Sequence, residues 1–156
     1  MQNRHKADPT GYEPGKGDAF DYIPDWINVP GLYKTENKDD PLAVIKLFTP
    51  DSNWTWYVIE FDGTDVFFGL VVGFETEFGY ASLSELESVK GPMGLRIERD
   101  KWFRPTPVTQ LAEYQEKWGD DGPYPGSGNK AKIEKQLAKL AKAAQHLQRH
   151  NLSSQL

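Results

Sequence analysis

Residues 53–61 (NWTWYVIEF) limit the possible folds of this chain more than any other segment. Almost every residue in this segment is aromatic or β-branched, which is typical of a β-strand. Neither of its alternating faces is polar before Glu60, so we predict a central strand that is covered on both sides. One face is expected to carry Trp54, Trp56 and Val58, and the other Thr55, Tyr57, Ile59 and Phe61.

A tight turn and a second strand are predicted directly after this segment. Asp62-Gly63 is a dipeptide typical of the turns that join antiparallel strands. Residues 66–73 (VFFGLVVG) then predict the antiparallel partner. Gly69 and Gly73 have no side chain, so they permit a bulge or the close approach of another element. Together the two strands predict a hairpin in the core.

Further strands and a short helix are predicted on both sides of this hairpin. Residues 43–48 (AVIKLF) form a short apolar run typical of a strand, and residues 80–83 (YASL) can add another. Residues 95–100 (LRIERD) alternate apolar with charged side chains and predict an edge strand. Ser84 precedes a glutamate by three positions, which is the spacing of a capping box and predicts a helix from Ser84 to Lys90.

Two helical segments are predicted after Pro107. The first (VTQLAEYQEKWG) ends at Gly119. Its apolar side is expected to consist of Val108, Leu111, Tyr114 (or Gln115) and Trp118. Residues 130–149 place apolar residues three and four positions apart, with lysines opposite, which indicates a basic amphipathic helix. We expect that helix to dock on its own domain or on a partner.

These elements predict an α+β fold, with a mostly antiparallel sheet of about four to five strands, covering helices and a C-terminal amphipathic helix. Four parts are expected along the chain: a flexible N-terminal arm at 1–29, a single globular domain at 30–119, a Gly/Pro linker at 120–129 and the basic helix at 130–150. Apolar residues in and just after the arm are expected to anchor it on the core: Phe20, Tyr22, Ile23, Trp26, Ile27 and Leu32.

The composition removes several classes of chemistry. The chain has no cysteine, which excludes disulfides, thiolate metal sites and cysteine nucleophiles. Its three histidines are His5, His146 and His150, so the predicted core has no imidazole to act as a general base or metal ligand. The sequence contains no phosphate loop and no dinucleotide-binding motif. We therefore expect no metal or cofactor and favour a protein that is not an enzyme.

Hydropathy predicts the location of the protein, and the charge distribution predicts the character of its surface. No apolar run approaches the roughly 20 residues of a membrane span, and the N-terminus lacks the apolar region of a secretion signal, so a cytoplasmic protein without membrane contact is expected. The net charge is −5. Residues 51–100 contain ten acidic and three basic residues, whereas residues 130–156 contain one acidic and six basic residues. An acidic body with a basic tail is therefore expected.

Candidate site residues lie at the rims of the aromatic segment. Asp51, Ser52 and Asn53 precede the strand and supply polar groups beside Trp54 and Trp56, an arrangement that can recognise bases, sugars or peptide side chains. The alternative is an Asx turn beside core tryptophans.

Carboxylates form the second set of candidates. Glu60 interrupts an apolar strand, so it is expected either at an exposed strand end or partly buried beside a partner such as Lys46. Acidic and aromatic residues around the next turn complete the candidates: Glu75, Glu77 and Tyr80. These carboxylates could hold Mg²⁺, although a solvated acidic surface is the simpler interpretation.

The motifs TPDSNWTWY, FDG, FFGLVVG, GYASLSELESV, GPMGL and IERD occur together between residues 30 and 107. In this combination the chain resembles the small bacterial family catalogued as domain of unknown function 2958. The resemblance implies the organisation described above and an association with plasmids, phages and integrative elements. It implies no catalytic residues, and it does not cover the N-terminal arm or the C-terminal helix.

Three functions are compatible with these residues. The first is a small non-enzymatic accessory protein of a mobile element that binds another macromolecule, most simply a protein, and serves in counter-defence. The second is a carboxylate-based, Mg²⁺-dependent hydrolase that uses Glu60 and the Asp51 loop. The third is a single-stranded nucleic-acid-binding module that uses Trp54 and Trp56, and the basic C-terminal helix offers a further contact with nucleic acid.

Overall fold

The computed structural model describes residues 8–126 and 137–148. Seven strands occur within these ranges: β1 (Leu42–Ala43), β2 (Ile45–Phe48), β3 (Thr55–Phe61), β4 (Val66–Val72), β5 (Thr76–Ser82), β6 (Glu98–Arg99) and β7 (Thr106–Pro107). The helical elements with defined bounds are α1 (Leu83–Ser88), a 3₁₀ turn (Val108–Gln110) and α2 (Ala112–Trp118), and residues 137–148 are also helical. The fold is α+β, as predicted.

β3 occupies the centre of a five-stranded antiparallel sheet with the strand order β5-β4-β3-β2-β6. The predicted hairpin is formed by β3 and β4, and β6 is the predicted edge strand in shorter form. β1 and β7 form a separate two-stranded pair. These pairings confirm the central strand and the hairpin that the sequence predicts.

Both faces of the sheet are covered. On the first face, the N-terminal segment (residues 8–29) and α1 pack against the sheet. The buried residues there are Tyr22, Ile27, Val44, Ile45, Leu47, Trp56, Val58, Phe67, Leu86 and Ile97. On the second face, the 3₁₀ turn and α2 pack against it, and the buried residues are Ala43, Tyr57, Ile59, Leu70, Val108, Leu111 and Tyr114. The predicted apolar side of the segment after Pro107 lies on this second face.

A bulge changes the alternation of β3 near its end. Val58 pairs with Gly69 and Glu60 pairs with Phe68, which leaves Ile59 as an extra residue. Because one extra residue reverses which face each following side chain occupies, Phe61 packs with Trp56 and Val58 rather than on the predicted opposite face. The bulge also directs Glu60 to the second face, beside Phe68.

Residues 8–29 pack against the domain through several of the expected apolar anchors, among them Tyr22 and Ile27. The Tyr22 hydroxyl donates to the Ile97 carbonyl at 2.7 Å, and Arg99, which is 5% exposed, donates to the carbonyls of Lys16, Asp18 and Asp21. Burial of Tyr22 and Ile27 offsets part of the cost of ordering this segment. Residues 1–7 of the expected arm lie outside the described residues.

The cap of α1 differs from the predicted one. Ser82 is the N-cap residue, and its hydroxyl accepts a hydrogen bond from the Glu85 amide at 3.2 Å. Ser82 and Glu85 have the same three-residue spacing as the predicted pair at Ser84 and Glu87. Ser84 instead donates through its amide and hydroxyl to Asp65. The helix therefore begins one residue before the predicted start.

Residues after α2 are only partly described. α2 ends at Gly119, as predicted, with a φ of 57°. Part of the expected linker packs on the domain, since the Tyr124 amide donates to the Tyr114 hydroxyl at 3.0 Å. Residues 137–148 of the expected basic helix are helical and exposed, and Lys139 forms an ion pair with Asp121 at 2.9 Å. The remainder of the predicted linker and helix, residues 127–136 and 149–150, lies outside the described residues.

Candidate binding pocket

Glu60 is a buried carboxylate that is 3% exposed. Its Oε1 accepts a hydrogen bond from the Tyr33 amide at 3.0 Å. Its Oε2 accepts from the Thr35 amide at 2.9 Å and from Thr35 Oγ1 at 2.5 Å. Of the two expected alternatives, the exposed strand end is wrong, and burial beside a partner is what the structure has. The partners are Tyr33 and Thr35 of a distant loop rather than Lys46, whose Nζ lies over the Tyr57 ring.

Glu60 lines a surface pocket of about 290 Å³ with aromatic walls. We call it the tyrosine pocket. It is lined by Tyr33, Thr35, Glu36, Glu60, Phe68, Tyr80 and Tyr124. Its lining therefore combines four aromatic rings with two carboxylates.

Three parts of the chain assemble the tyrosine pocket. The central hairpin and β5 supply Glu60, Phe68 and Tyr80, which the bulge and the cross-strand pair of Phe68 with Tyr80 place on the same face. The segment before β1 supplies Tyr33, Thr35 and Glu36. Tyr124 comes from the segment after α2. The pocket thus lies where two connecting segments meet one end of the sheet.

The aromatic rings lie close to one another but leave the pocket accessible. The ring centroids of Phe68 and Tyr80 are 5.2 Å apart, and those of Tyr33 and Tyr80 are 6.5 Å apart. Tyr33 and Tyr80 remain 59% and 54% exposed. Large exposed aromatic side chains beside a buried charge are a typical feature of a recognition site.

The backbone of Tyr33 adopts a conformation that is unfavourable for a tyrosine. Its φ is 68°, the one positive φ among the described non-glycine residues. Such a conformation costs on the order of 1 kcal/mol and persists where surrounding contacts fix it. Here the amide is fixed by Glu60 while the ring stays exposed, so the strain holds an aromatic side chain at the mouth of the pocket.

Negative charge also affects the tyrosine hydroxyls of the pocket. The pKa of Tyr80 is raised, first by desolvation and then by the neighbouring Tyr33, Glu60 and Glu36. The pKa of Tyr124 is raised, first by burial and then by Glu60 and the neighbouring tyrosines. Glu60 contributes to both shifts, so its negative charge acts on both hydroxyls and would attract a cationic group there.

A second concave region lies beside the tryptophans on the first face. The rings of Trp54 and Trp56 stack with centroids 5.9 Å apart, and Phe74, which is 95% exposed, meets Trp54 edge-on. The region has a volume of about 330 Å³ and is lined by Thr49, Ser52, Trp54, Trp56, Val89, Lys90, Gly91 and Pro92. We call it the tryptophan groove. Its lining is mostly apolar and contains no acidic side chain.

Asp51 holds a loop rather than facing the tryptophan groove. Its Oδ2 accepts hydrogen bonds from the amides of Met93 at 2.8 Å and Leu95 at 3.4 Å. A side chain at Gly91 would overlap Asp51, since an added Cβ would lie 1.6 Å from Oδ1. Asp51 therefore joins the entrance of β3 to the segment 91–95.

Apart from Asp51, the predicted site residues fall into three groups. Glu60 and Tyr80 meet in the tyrosine pocket, and Ser52, Trp54 and Trp56 line the tryptophan groove. Asn53, Glu75 and Glu77 are exposed and line neither region. Across residues 8–126 and 137–148, no group of three or more His, Asp or Glu side chains is placed to hold a metal ion.

Sequence reasoning missed most of the tyrosine pocket. Tyr33, Thr35 and Glu36 lie in a segment without periodicity, and Tyr124 lies in the predicted linker. Glu60 and Tyr80 are the two predicted site residues in the pocket, and the signal that identifies Glu60 is a polar residue in an apolar strand. The positive φ of Tyr33 has no counterpart in the sequence, because tyrosine is not a residue that favours it.

Comparison with known proteins gives one result. Residues 29–122 match the family described as protein of unknown function (DUF2958), and the chain belongs to this family. The matched segment contains every residue of the tyrosine pocket except Tyr124. No curated protein and no solved structure matches the chain. Among the described residues, no helix is long and apolar enough to cross a bilayer.

Proposed function

We propose that this protein is a small, non-enzymatic binding protein that recognises another protein through the tyrosine pocket. One observation carries the proposal: the buried carboxylate of Glu60 lies in a pocket whose walls are exposed aromatic rings. A carboxylate and the faces of aromatic rings both attract a cation. Lysine and arginine side chains are the cations that a protein partner presents.

The charge of the domain supports a basic partner. Residues 51–100 contain ten acidic and three basic residues, and this range includes most of the sheet. An acidic surface attracts a basic surface over a distance and accelerates association with it. Glu36 and Glu60 extend this negative charge into the tyrosine pocket.

The positions of the carboxylates favour binding over hydrolysis. Asp51 accepts hydrogen bonds from the loop 91–95, and Glu60 accepts them from Tyr33 and Thr35. Asp62 accepts hydrogen bonds from three amides of its own turn. Each carboxylate has a separate structural role, which weakens the hypothesis of a shared Mg²⁺ site.

Nucleic-acid binding is the less favoured alternative. Trp56 is 8% exposed, and Trp54 is half-buried with one face stacked on Trp56, so only the part of Trp54 that lines the tryptophan groove is accessible to a base. The acidic body would repel a phosphate backbone. The basic helix that could contact phosphates is described only at residues 137–148.

The family resemblance suggests a setting for this activity. We extend the proposal to a cytoplasmic accessory protein of a plasmid, phage or integrative element. An acidic protein of this kind could act in counter-defence by occupying the basic surface of a host protein. The binding proposal does not depend on this setting.

A peptide library displayed on phage tests the proposal. The wild-type protein is expected to enrich peptides that contain lysine or arginine, with affinities that fall as salt concentration rises. Tyr80→Ala is expected to weaken binding of the enriched peptides by at least about tenfold, because an aromatic anchor at the centre of an interface commonly contributes that much.

Phe74→Ala is the matched control for Tyr80→Ala. Both residues are exposed aromatic side chains near turns of the same sheet, but Phe74 lies outside the tyrosine pocket. The control variant is expected to keep wild-type affinity. The proposal fails if no peptide is enriched, or if the two substitutions weaken binding equally.

A further inference from the structure

The hydrogen bonds of Glu60 limit the kind of cation that the tyrosine pocket can hold. An ionised carboxylate accepts about four hydrogen bonds. Three donors already engage it: the amides of Tyr33 and Thr35 and the Thr35 hydroxyl. Glu60 therefore supplies negative charge to the pocket with little remaining capacity to accept hydrogen bonds from a ligand.

The aromatic rings supply the other attraction. A cation placed over a ring is attracted by the negative face of the ring, and this attraction does not require a hydrogen bond. Phe68 and Tyr80 are packed with centroids 5.2 Å apart, and Tyr33 lies against Tyr80 at the mouth. Tyr124 completes the set of rings around Glu60.

Cations differ in how many hydrogen bonds to water they lose on entering such a pocket. A lysine ammonium has three donors and an arginine guanidinium has five, and each loses hydrogen bonds to water that an engaged carboxylate cannot fully replace. A quaternary ammonium has no donor, so it loses no hydrogen bond of its own. Charge and aromatic faces alone are enough to hold it.

We infer that the tyrosine pocket binds a methylated ammonium group, held by the rings of Tyr33, Phe68, Tyr80 and Tyr124 against the charge of Glu60. The volume of about 290 Å³ is at the lower end for ligand pockets and suits one small group. Only the source of that group rests on the proposed function: a protein partner would present it as methylated lysine, whereas a small molecule such as choline carries it free.

Choline and its carbon analogue, in which a tert-butyl group replaces the trimethylammonium group, separate charge from shape. Each is titrated into the full-length protein, and binding is followed by calorimetry and by chemical-shift changes of the pocket tyrosines. Choline is expected to bind at least about tenfold more tightly than the neutral analogue. Equal binding of the two, or no binding of choline, would overturn the inference.

Variants locate the choline site. Tyr80→Ala is expected to weaken choline binding by at least about fivefold, whereas Phe74→Ala, at an exposed ring outside the pocket, is expected to leave it unchanged. Tyr80 is more than half exposed, so its replacement is not expected to prevent folding, and circular dichroism checks this. Loss of choline binding in Phe74→Ala alone would assign the site to the tryptophan groove and overturn the inference.

Peptides distinguish the source of the group and separate this inference from the proposed function. A peptide with trimethylated lysine is compared with the same peptide carrying unmodified lysine. Tighter binding of the methylated peptide supports both proposals, and tighter binding of the unmodified peptide overturns the preference for methylation while the binding function stands. Choline binding without binding of either peptide supports the methylated-ammonium site and contradicts recognition of a protein.

Discussion

Thr35 and Glu60 lie 25 positions apart in the chain and are joined by two hydrogen bonds. The Thr35 amide donates to Glu60 Oε2 at 2.9 Å, and the Thr35 hydroxyl donates to the same oxygen at 2.5 Å. Both residues are buried, with exposed fractions of 3%. This pair therefore fastens the segment before β1 to the central strand and fixes the carboxylate in the tyrosine pocket.

Replacing Thr35 with valine is expected to destabilise the protein by about 1–3 kcal/mol, because a buried carboxylate loses a hydroxyl donor. Thr64→Val is the control, since Thr64 is an exposed threonine in the turn between β3 and β4. Unfolding in urea measures both variants. Equal midpoints for the two variants would show that the hydroxyl contributes nothing to stability.

Gly69 and Gly79 are direct cross-strand partners in β4 and β5. Alanine at these two positions tests how closely β4 approaches β3 beside the bulge. A Cβ at Gly69 would lie 1.8 Å from the Tyr57 carbonyl oxygen, whereas a Cβ at Gly79 would meet no atom within 4 Å. Gly69→Ala is therefore expected to cost more than about 3 kcal/mol, since it displaces the backbone of β3. Gly79→Ala is expected to change stability by less than about 1 kcal/mol.

Thermal and urea unfolding of these two variants check the prediction. Both variants replace a strand glycine with alanine, so the intrinsic preference of alanine over glycine contributes to both in the same direction. The difference between the two variants therefore reports the steric contact at Gly69. A folded Gly69→Ala variant with nearly wild-type stability would mean that β3 and β4 are not as close at this position as the structure shows.

The sequence predicts the parts of this fold that depend on local pattern. The aromatic segment determines β3, Asp62-Gly63 marks the turn, and the spacing from Val108 to Trp118 indicates the covering segment, which the structure divides at Leu111 into a 3₁₀ turn and α2. These features depend on side-chain periodicity, which is visible without knowledge of distant contacts. They are sufficient for the fold class.

The tyrosine pocket depends on features that periodicity does not contain. The extra residue at Ile59 reverses the alternation of β3 and directs Glu60 to the second face. The partners of Glu60 come from 25 and 27 positions away, and Tyr124 comes from a segment with the composition of a linker. A single polar residue in an apolar strand could identify Glu60 but not its surroundings.

Tyr57 makes stability sensitive to alkaline pH. Burial raises its pKa, and so does the hydrogen bond from its hydroxyl to Glu113, with distances of 2.9 and 3.0 Å to the two carboxylate oxygens. The folded state therefore retains the phenol proton at a pH where the unfolded state has lost it. Stability from this group is complete below about pH 10 and falls as the pH rises above that value.

Tyr57→Phe is expected to reduce this alkaline loss. Below about pH 10 the variant loses the hydrogen bond to Glu113 and about 1 kcal/mol of stability. Above that pH the difference from wild type shrinks, because the unfolded variant has one ionisable phenol fewer. Urea unfolding at about pH 8 and about pH 11 measures this change, and a constant difference at both values would contradict the assigned cause.

Arg99 attaches the N-terminal segment to the edge strand β6. Its guanidinium donates to the Asp21 carbonyl at 2.8 Å, to that of Lys16 at 3.0 Å and to that of Asp18 at 3.2 Å, and its amide donates to the Ala19 carbonyl at 2.7 Å. Arg99→Met is expected to cost about 2–4 kcal/mol, because it removes three side-chain donors at a buried position.

Amide hydrogen exchange shows where this loss acts. Faster exchange is expected for the N-terminal segment, whose amides at Gly15 and Asn28 are hydrogen-bonded to Lys101 and Thr10, while exchange of the β3 and β4 amides is expected to accelerate only in proportion to the loss of global stability. Lys101→Met is the control, since the Lys101 side chain makes one exposed hydrogen bond, to the Gly17 carbonyl at 3.1 Å, and the substitution leaves the Lys101 backbone carbonyl in place. If both variants exchange alike in this segment, Arg99 does not hold it, and the packing of Tyr22 and Ile27 is sufficient on its own.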